Sequence, residues 1–140
     1  MKDFDATLWV SLYSRNYSRS STIINAPSSN VNFLQVSFKV KALILLVWHI
    51  VSNEYRVIVV ASPSHILVPI LRFLPGVKVI LDAGWPLSDS NLTREISVHA
   101  WVQGLKNLLV DFIAFKLAHF IIFETKQQLF DCCNKLLSIK

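Results

Sequence analysis

The segment SRNYSRSST, residues 14–22, carries the densest set of groups that could do chemistry. Two arginines flank a tyrosine here, and serines that can cap a following helix come directly after them. A guanidinium group binds a phosphate or a carboxylate through two hydrogen bonds, and the amides at a helix N-terminus also favour anions. The segment therefore predicts an anion site, with a solvated helix-capping loop as the alternative. The candidate ligands are Arg15 and Arg19, which flank Tyr17.

A second candidate lies in KVILDAGWPLSD, residues 78–89, where an apolar β-branched run breaks off at Asp82. An aspartate after a strand often accepts hydrogen bonds from nearby turn amides, and we favour that role here. The alternative is a catalytic carboxylate that takes a proton or binds a substrate hydroxyl group. Trp85 adds a flat apolar surface on which a sugar ring could stack, or which could cover the core.

Other site types have little support in the sequence. The three glycines stand at positions 76, 84 and 104, so neither a dinucleotide-binding nor a P-loop glycine motif can be written. The pair Ser64 and His65 lacks the glycines of a hydrolase nucleophile elbow, and we expect His65 to pack or cap at the start of a helix, with ligand binding as a second role. The histidines have no metal-ligand spacing, so we expect no metal. Cys132 and Cys133 are adjacent, which favours free thiols over a disulfide.

Composition narrows the class of protein further. A chain of 140 residues is the size of one domain, and 53% of its residues are hydrophobic. The longest apolar run, residues 40–51, is too short to span a bilayer, and the N-terminus does not resemble a secretory signal. The formal charge of +5 favours anionic partners, but no basic run or zinc spacing indicates nucleic acid. We expect a cytoplasmic protein without a nucleic-acid partner.

Strand and helix patterns alternate along the chain. β-branched and aromatic runs predict five strands, and helical spacing predicts helices between and after them. In the helix over residues 39–55, one face carries Leu43, Leu46, Val47, Ile50 and Val51. The predicted strands are residues 7–14, 31–38, 55–62, 77–83 and 120–125. Of the other predicted helices, one is capped by Ser20 or Ser21 and stopped by Pro27. Residues 64–76 predict a helix or a helical turn that Pro75 and Gly76 end, and two further helices are predicted over residues 100–120 and 126–137.

This alternation predicts one α/β domain over residues 1–140, a Rossmann-like, doubly wound parallel sheet of about five strands with flanking helices. In such sheets, ligands bind beyond the carboxyl ends of the strands. Residues 14–19, 62–65, 82–86 and 124–126 would then share one edge of the sheet.

Four segments together carry a resemblance to a known family. They are SRNYSRSSTIINA, VIVVASPSHILVPILRFL, VKVILDAGWPLSDS and LVDFIAFKLAHFIIFETKQQLFD. In their order and pattern, residues 7–130 resemble the N-terminal half of family-4-like glycosyltransferases with the two-domain GT-B fold. The last segment is the most specific of the four, because a helix ending in Leu-Ala-His, an apolar strand, Glu-Thr-Lys and a helix resemble the unit that closes that half.

The resemblance implies a domain that mainly holds the acceptor and faces a second domain that binds a nucleotide sugar. It implies sugar transfer with retention of configuration, often at the cytosolic face of a membrane. Ser14, Arg15, Asn16, Tyr17 and Arg19 would lie near the donor phosphates or the acceptor, and Asp82 would stand where many members have a histidine. We expect no cofactor to bind this domain alone. The donor domain would follow residue 140 or come from a partner chain, so we expect the chain alone to be inactive.

Two other functions remain open at this stage. One is a non-catalytic binding module or a module at an anionic membrane surface, because the helix over residues 40–52 is apolar and the chain is basic. The other is an unrelated Rossmann-like enzyme that binds a small anionic substrate at Arg15 and Arg19.

Overall fold

The structure is a computed structural model that describes residues 7–14, 31–84 and 98–137. The predicted short helix before Pro27 lies outside these residues. The strands are β1 Thr7–Ser11, β2 Val31–Gln35, β3 Val57–Ala61, β4 Lys78–Asp82 and β5 Phe120–Ile122. The helices are α1 Val40–Ser52, α2 Leu67–Arg72, α3 Val98–Leu117 and α4 Lys126–Leu137.

The five strands form a single, entirely parallel sheet in the order β2-β1-β3-β4-β5. Together with the four helices of the described residues, this sheet confirms the predicted α/β, Rossmann-like fold. From β1 the chain continues to β2, which lies on one side of β1, and then crosses to β3, which lies on the other side of β1. The strand order therefore reverses between β1 and β3, and in open α/β sheets a ligand crevice opens at such a point.

The main core lies on one face of the sheet, beneath α1, α2 and α3. The three crossovers from β2 to β5 all run in the same direction, so right-handed connections place their helices on the same face. Strand residues such as Val10, Val60 and Leu81 pack there against Leu46 of α1 and Leu71 of α2. A smaller cluster on the other face contains Trp9, Val59 and Ala61, with Phe33 and Ile80 packed against it.

Helix α1 differs in one respect from the predicted apolar face. Leu46 and Ile50 are buried and Leu43 is partly buried in the core, as the spacing predicts, but Val51 is 61% exposed. Because successive residues are about 100° apart around a helix, Val51 turns away from the sheet that Ile50 contacts. Val51 therefore belongs to the outer side of α1 and not to the predicted core face.

Helix α2 is shorter than its predicted span of residues 64–76. It begins at Leu67 and ends at Arg72, and Pro69 lies in its first turn, where the missing N–H removes no intrahelical hydrogen bond. Gly76 then adopts a φ of 75°, a conformation that favours glycine, before β4 begins. None of the helices in the described residues is both long and apolar enough to cross a membrane.

Candidate functional site

The candidate site lies at the carboxyl ends of β1, β3 and β4, beside the reversal of strand order. Three connections begin there: residues 12–14 after β1, residues 62–66 after β3, and Ala83 and Gly84 after β4. The parallel register brings the strand ends side by side, since Ala61 lies opposite Asp82. The sequence predicted this convergence, and the structure adds the hydrogen bonds that hold the connections together.

Two buried serines join the connection after β1 to the connection after β3. The N–H of Leu12 donates to Ser64 Oγ over 2.9 Å, and the N–H of Tyr13 donates to Ser11 Oγ over 3.0 Å. The two hydroxyl oxygens lie 3.4 Å apart. Both side chains are fully buried and accept hydrogen bonds from backbone amides. These serines therefore shape the edge of the sheet, and neither is placed as an exposed nucleophile.

His65 is the central side chain of the site, and it is completely buried. Its Nδ1 lies 2.6 Å from Asp111 Oδ1 on α3, and its Nε2 lies 3.2 Å from the carbonyl oxygen of Ala83. The ring also packs against Phe115, with 5.9 Å between the ring centroids. One imidazole thus connects the turn after β3, the end of β4 and helix α3.

The partners of His65 limit its protonation states. The carbonyl of Ala83 can only accept, so its hydrogen bond requires a proton on Nε2. The bond to Asp111 is then complete either when Nδ1 also carries a proton and the carboxylate accepts, or when a protonated Asp111 donates to Nδ1. In both states the two ring nitrogens are occupied, so His65 has no nitrogen directed at solvent.

Asp82 ends β4 and is 1% exposed. Its backbone carbonyl accepts the N–H of Ser62, and the next residue, Ala83, donates its N–H to Ile122 of β5. Because side chains alternate along a strand, the Asp82 side chain shares the sheet face of Ile80, opposite the face on which α3 packs. Asp82 and the pair of His65 and Asp111 therefore share one edge of the sheet but lie on different faces.

The predicted site residues differ in their exposure to solvent and in whether the structure describes them. Ser14 is exposed and lies at the edge of the sheet, three residues beyond the end of β1. His65 is at the same edge but is fully enclosed, which fits the packing role that the sequence favoured. The predicted anion ligands Arg15, Asn16, Tyr17 and Arg19, together with Trp85, lie outside the described residues.

The sequence reasoning missed Asp111. The residue is the only acid in the run LKNLLVDFIAFKL, and its helical spacing places it with buried Ala114. An acid at a core position needs a buried partner, and that was the available signal. The partner is 46 residues away along the chain, which is why spacing alone did not reveal it.

The strand end of β5 has an ordinary structural role. Thr125 Oγ1 accepts the N–H of Gln128, and Gln128 Oε1 accepts the N–H groups of Glu124 and Thr125. This reciprocal pattern is a capping box at the start of α4. It explains Glu-Thr-Lys as a helix start.

Neither a metal-binding cluster nor similarity to known proteins identifies the function of this site. Within residues 7–14, 31–84 and 98–137, no three His, Cys, Asp or Glu side chains are grouped closely enough to hold a metal ion. Comparisons of the chain with protein-family models, with curated proteins and with solved structures found no match.

Proposed function

We propose that the chain is the acceptor-side half of a retaining, nucleotide-sugar-dependent glycosyltransferase. The observation that carries the proposal is the reversal of strand order between β1 and β3. It lies beside Ser14, where the segment of residues 14–22 with its two arginines, called here the arginine segment, begins. This is the position where a parallel α/β sheet binds ligands. Among the described residues of the four segments that resemble family-4-like glycosyltransferases, Ser14, residues 62–65 and Asp82 lie at this edge. The fold alone hosts many chemistries, so the proposal depends on the arginine segment and on that resemblance.

The hydrogen bonds at this edge support a binding role. Ser64 accepts the N–H of Leu12, so a hydrogen bond holds the backbone two residues before Ser14. His65 binds the carbonyl of Ala83, two residues before Trp85. A site held by such contacts spends less binding free energy on ordering its loops. Arg15 and Arg19 would bind a phosphate or carboxylate there, and Trp85 would stack on a sugar ring.

The proposal assigns the donor sugar to a second domain, located elsewhere in the polypeptide or in a partner chain. A leaving nucleoside diphosphate needs several cationic or amide donors in the transition state. The side chains at the centre of the described edge, Ser64, His65 and Asp111, do not serve as such donors, because they already bind each other or the backbone. The chain alone should therefore bind nucleotide sugars weakly and transfer no sugar.

Calorimetry on the isolated chain tests this division of labour. Titration with UDP-glucose, UDP-N-acetylglucosamine and GDP-mannose should give no saturable heat at micromolar concentrations. Tight binding of any of these probes by the chain alone would contradict the half-enzyme arrangement, since it would reveal a complete donor site.

A second experiment tests the acceptor-side role in the assembled enzyme. The chain is purified together with its donor domain, and release of nucleoside diphosphate from the same nucleotide sugars is measured. Replacing Arg15 and Arg19 by alanine should lower kcat/KM by about two orders of magnitude, because each guanidinium would hold an anion through two charged hydrogen bonds. Arg72→Ala is the matched control, since Arg72 is exposed at the far end of α2. Unchanged kinetics in the double variant would refute the anion site, and an assembled enzyme without transferase activity would refute the proposed function.

A further inference from the structure

The outer side of α1 is apolar, although it faces solvent. Surface helices normally direct charged and polar residues outward. In α1, five large hydrophobic residues are exposed on the side opposite the core, and Trp48 is 66% exposed. The five residues, called here the α1 face, are Val40, Ile44, Leu45, Trp48 and Val51.

An apolar groove adjoins the α1 face. It has a volume of about 360 Å³ and opens between α1 and the end of β2 at the edge of the sheet. Its apolar lining comes from Leu34, Val36, Ala42, Leu45, Leu46 and Trp48. Two members of the α1 face, Leu45 and Trp48, therefore also line the groove, and the two features form one continuous surface.

The charges around this surface are positive. Lys39 and Lys41 are exposed at the start of α1, and the helix contains no aspartate or glutamate. The nearest acid along the chain, Glu54, follows the other end of the helix. Cations at a helix N-terminus are unfavourable for the helix dipole, so the two lysines do not serve the stability of α1. They are complementary to a negatively charged partner.

We propose that the α1 face binds the surface of an anionic phospholipid bilayer. The helix would lie in the plane of the interface, with Leu45 and Trp48 inserted at the boundary between the headgroups and the acyl chains, Lys39 and Lys41 against lipid phosphates, and an acyl chain in the groove. With 13 residues, α1 is suited to lie on a membrane and too short to cross it. The inference rests on the described surface alone and does not depend on the glycosyltransferase proposal.

A second copy of the chain fits this surface less well than a bilayer. In a two-fold symmetric dimer, the same patch contacts itself. Lys41 projects among the apolar residues of the α1 face, because it lies about 20° from Trp48 around the helix. A dimer would bury Lys41 from both copies with no acid on either helix to pair with it, whereas anionic lipids supply a counter-charge for each lysine.

Vesicle sedimentation tests the inference. The chain is mixed at low salt with vesicles made of two parts phosphatidylcholine to one part phosphatidylglycerol, and with vesicles of phosphatidylcholine alone. We expect the partition coefficient to be about tenfold higher on the anionic vesicles. Lys39→Gln with Lys41→Gln should lower binding to the value seen with phosphatidylcholine. Absence of binding to the anionic vesicles would overturn the inference.

Paired variants locate the surface. Leu45→Ser with Trp48→Ser should lower binding by at least about tenfold, since both side chains would lose contact with the acyl region. Phe73→Ser removes an exposed aromatic residue at the end of α2, so it should bind like the unmodified chain. Circular dichroism and thermal melting verify that the variants fold. Equal loss in the Phe73 variant would overturn the assignment to α1, and so would a dimer that the Leu45 and Trp48 changes dissociate.

A fluorescence measurement tests the same membrane contact with a conservative substitution, Trp48→Phe. Phosphatidylcholine with a doxyl group on its acyl chain quenches tryptophans that reach the hydrocarbon. The part of the emission that Trp48→Phe removes should be quenched on anionic vesicles carrying this lipid. If that part is not quenched while the chain sediments with the vesicles, the α1 face is not the membrane contact.

Discussion

The Nδ1 atom of His65 lies 2.6 Å from Oδ1 of Asp111, and both side chains are shielded from solvent. His65 belongs to the turn after β3, whereas Asp111 lies in the second half of α3. The other ring nitrogen contacts the carbonyl of Ala83 after β4. A single imidazole thus links α3 to the turn after β3 and to the connection after β4.

Removing Asp111 should strongly destabilise the fold. Asp111→Ala leaves the buried Nδ1 without its partner, and we expect the free energy of unfolding to fall by about 3–5 kcal/mol. Asp111→Asn keeps an oxygen acceptor and should cost less, about 1–3 kcal/mol. Urea unfolding followed by circular dichroism measures both. Lys106→Ala, on the exposed side of the same helix, should change stability by less than about 0.5 kcal/mol.

A double-mutant cycle separates the interaction from the separate contributions of the two residues. His65→Leu and Asp111→Leu should each destabilise the protein, and the double variant should be more stable than the sum of the single effects by about 0.5–3 kcal/mol. The reason is that the double variant leaves no unpaired polar atom of the pair. Simple additivity would show that the 2.6 Å contact contributes no coupling in solution.

Much of the fold could be predicted from the sequence, because strands and helices are indicated by residue patterns within short segments. Apolar β-branched runs such as VIVVA mark strands covered on both faces, and helical spacing places Leu46 and Ile50 against the sheet. Helix ends were less predictable, since Pro69 is accepted within the first turn of α2 and the helix stops at Arg72. The strand order depends on contacts between distant segments, and only the structure supplied it.

The candidate site was less accessible to prediction for a physical reason. Its position at the carboxyl edge follows from parallel topology, which the alternation of strands and helices implies. The role of His65, however, depends on Asp111 and Ala83, which lie 46 and 18 residues away along the chain. A histidine next to a strand end can bind a ligand or pack in the core. Only the burial of the ring, which the structure shows, distinguishes these two roles for His65.

Ser64→Ala should loosen the connection between β1 and β3. The change removes the acceptor of the Leu12 N–H, and an unsatisfied buried amide costs about 1–3 kcal/mol. Hydrogen exchange at Leu12 and Tyr13 should accelerate more than exchange in α1. The matched control is Ser52→Ala at the exposed end of α1, which should leave both stability and exchange near the original values. Equal exchange rates in the Ser64 variant would show that water replaces the hydroxyl group.

The capping box at Thr125 should determine whether α4 forms. Thr125→Ala removes the acceptor of the Gln128 N–H and should lower stability by about 1 kcal/mol. Gln128→Ala should cost at least as much, because its Oε1 accepts from two backbone amides. Thermal melts and helical ellipticity measure the effect, with Lys126→Ala as the control at the exposed first position of the helix. Identical melts for the Thr125 and Lys126 variants would contradict the capping assignment.

Asp82→Asn distinguishes the structural role of this residue from the catalytic one. Asp82 is 1% exposed and its backbone accepts the Ser62 N–H, so we expect its carboxylate to shape the strand end. On that view Asp82→Asn lowers the free energy of unfolding by about 1–3 kcal/mol, while kcat in the proposed assembly with a donor domain stays within about tenfold. Asp111→Asn is the matched control, because it changes a buried carboxylate at the same edge but on the other face of the sheet. A fall in kcat of about a hundredfold or more, at unchanged stability and absent from the Asp111 variant, would instead identify Asp82 as the group that exchanges a proton with the substrate.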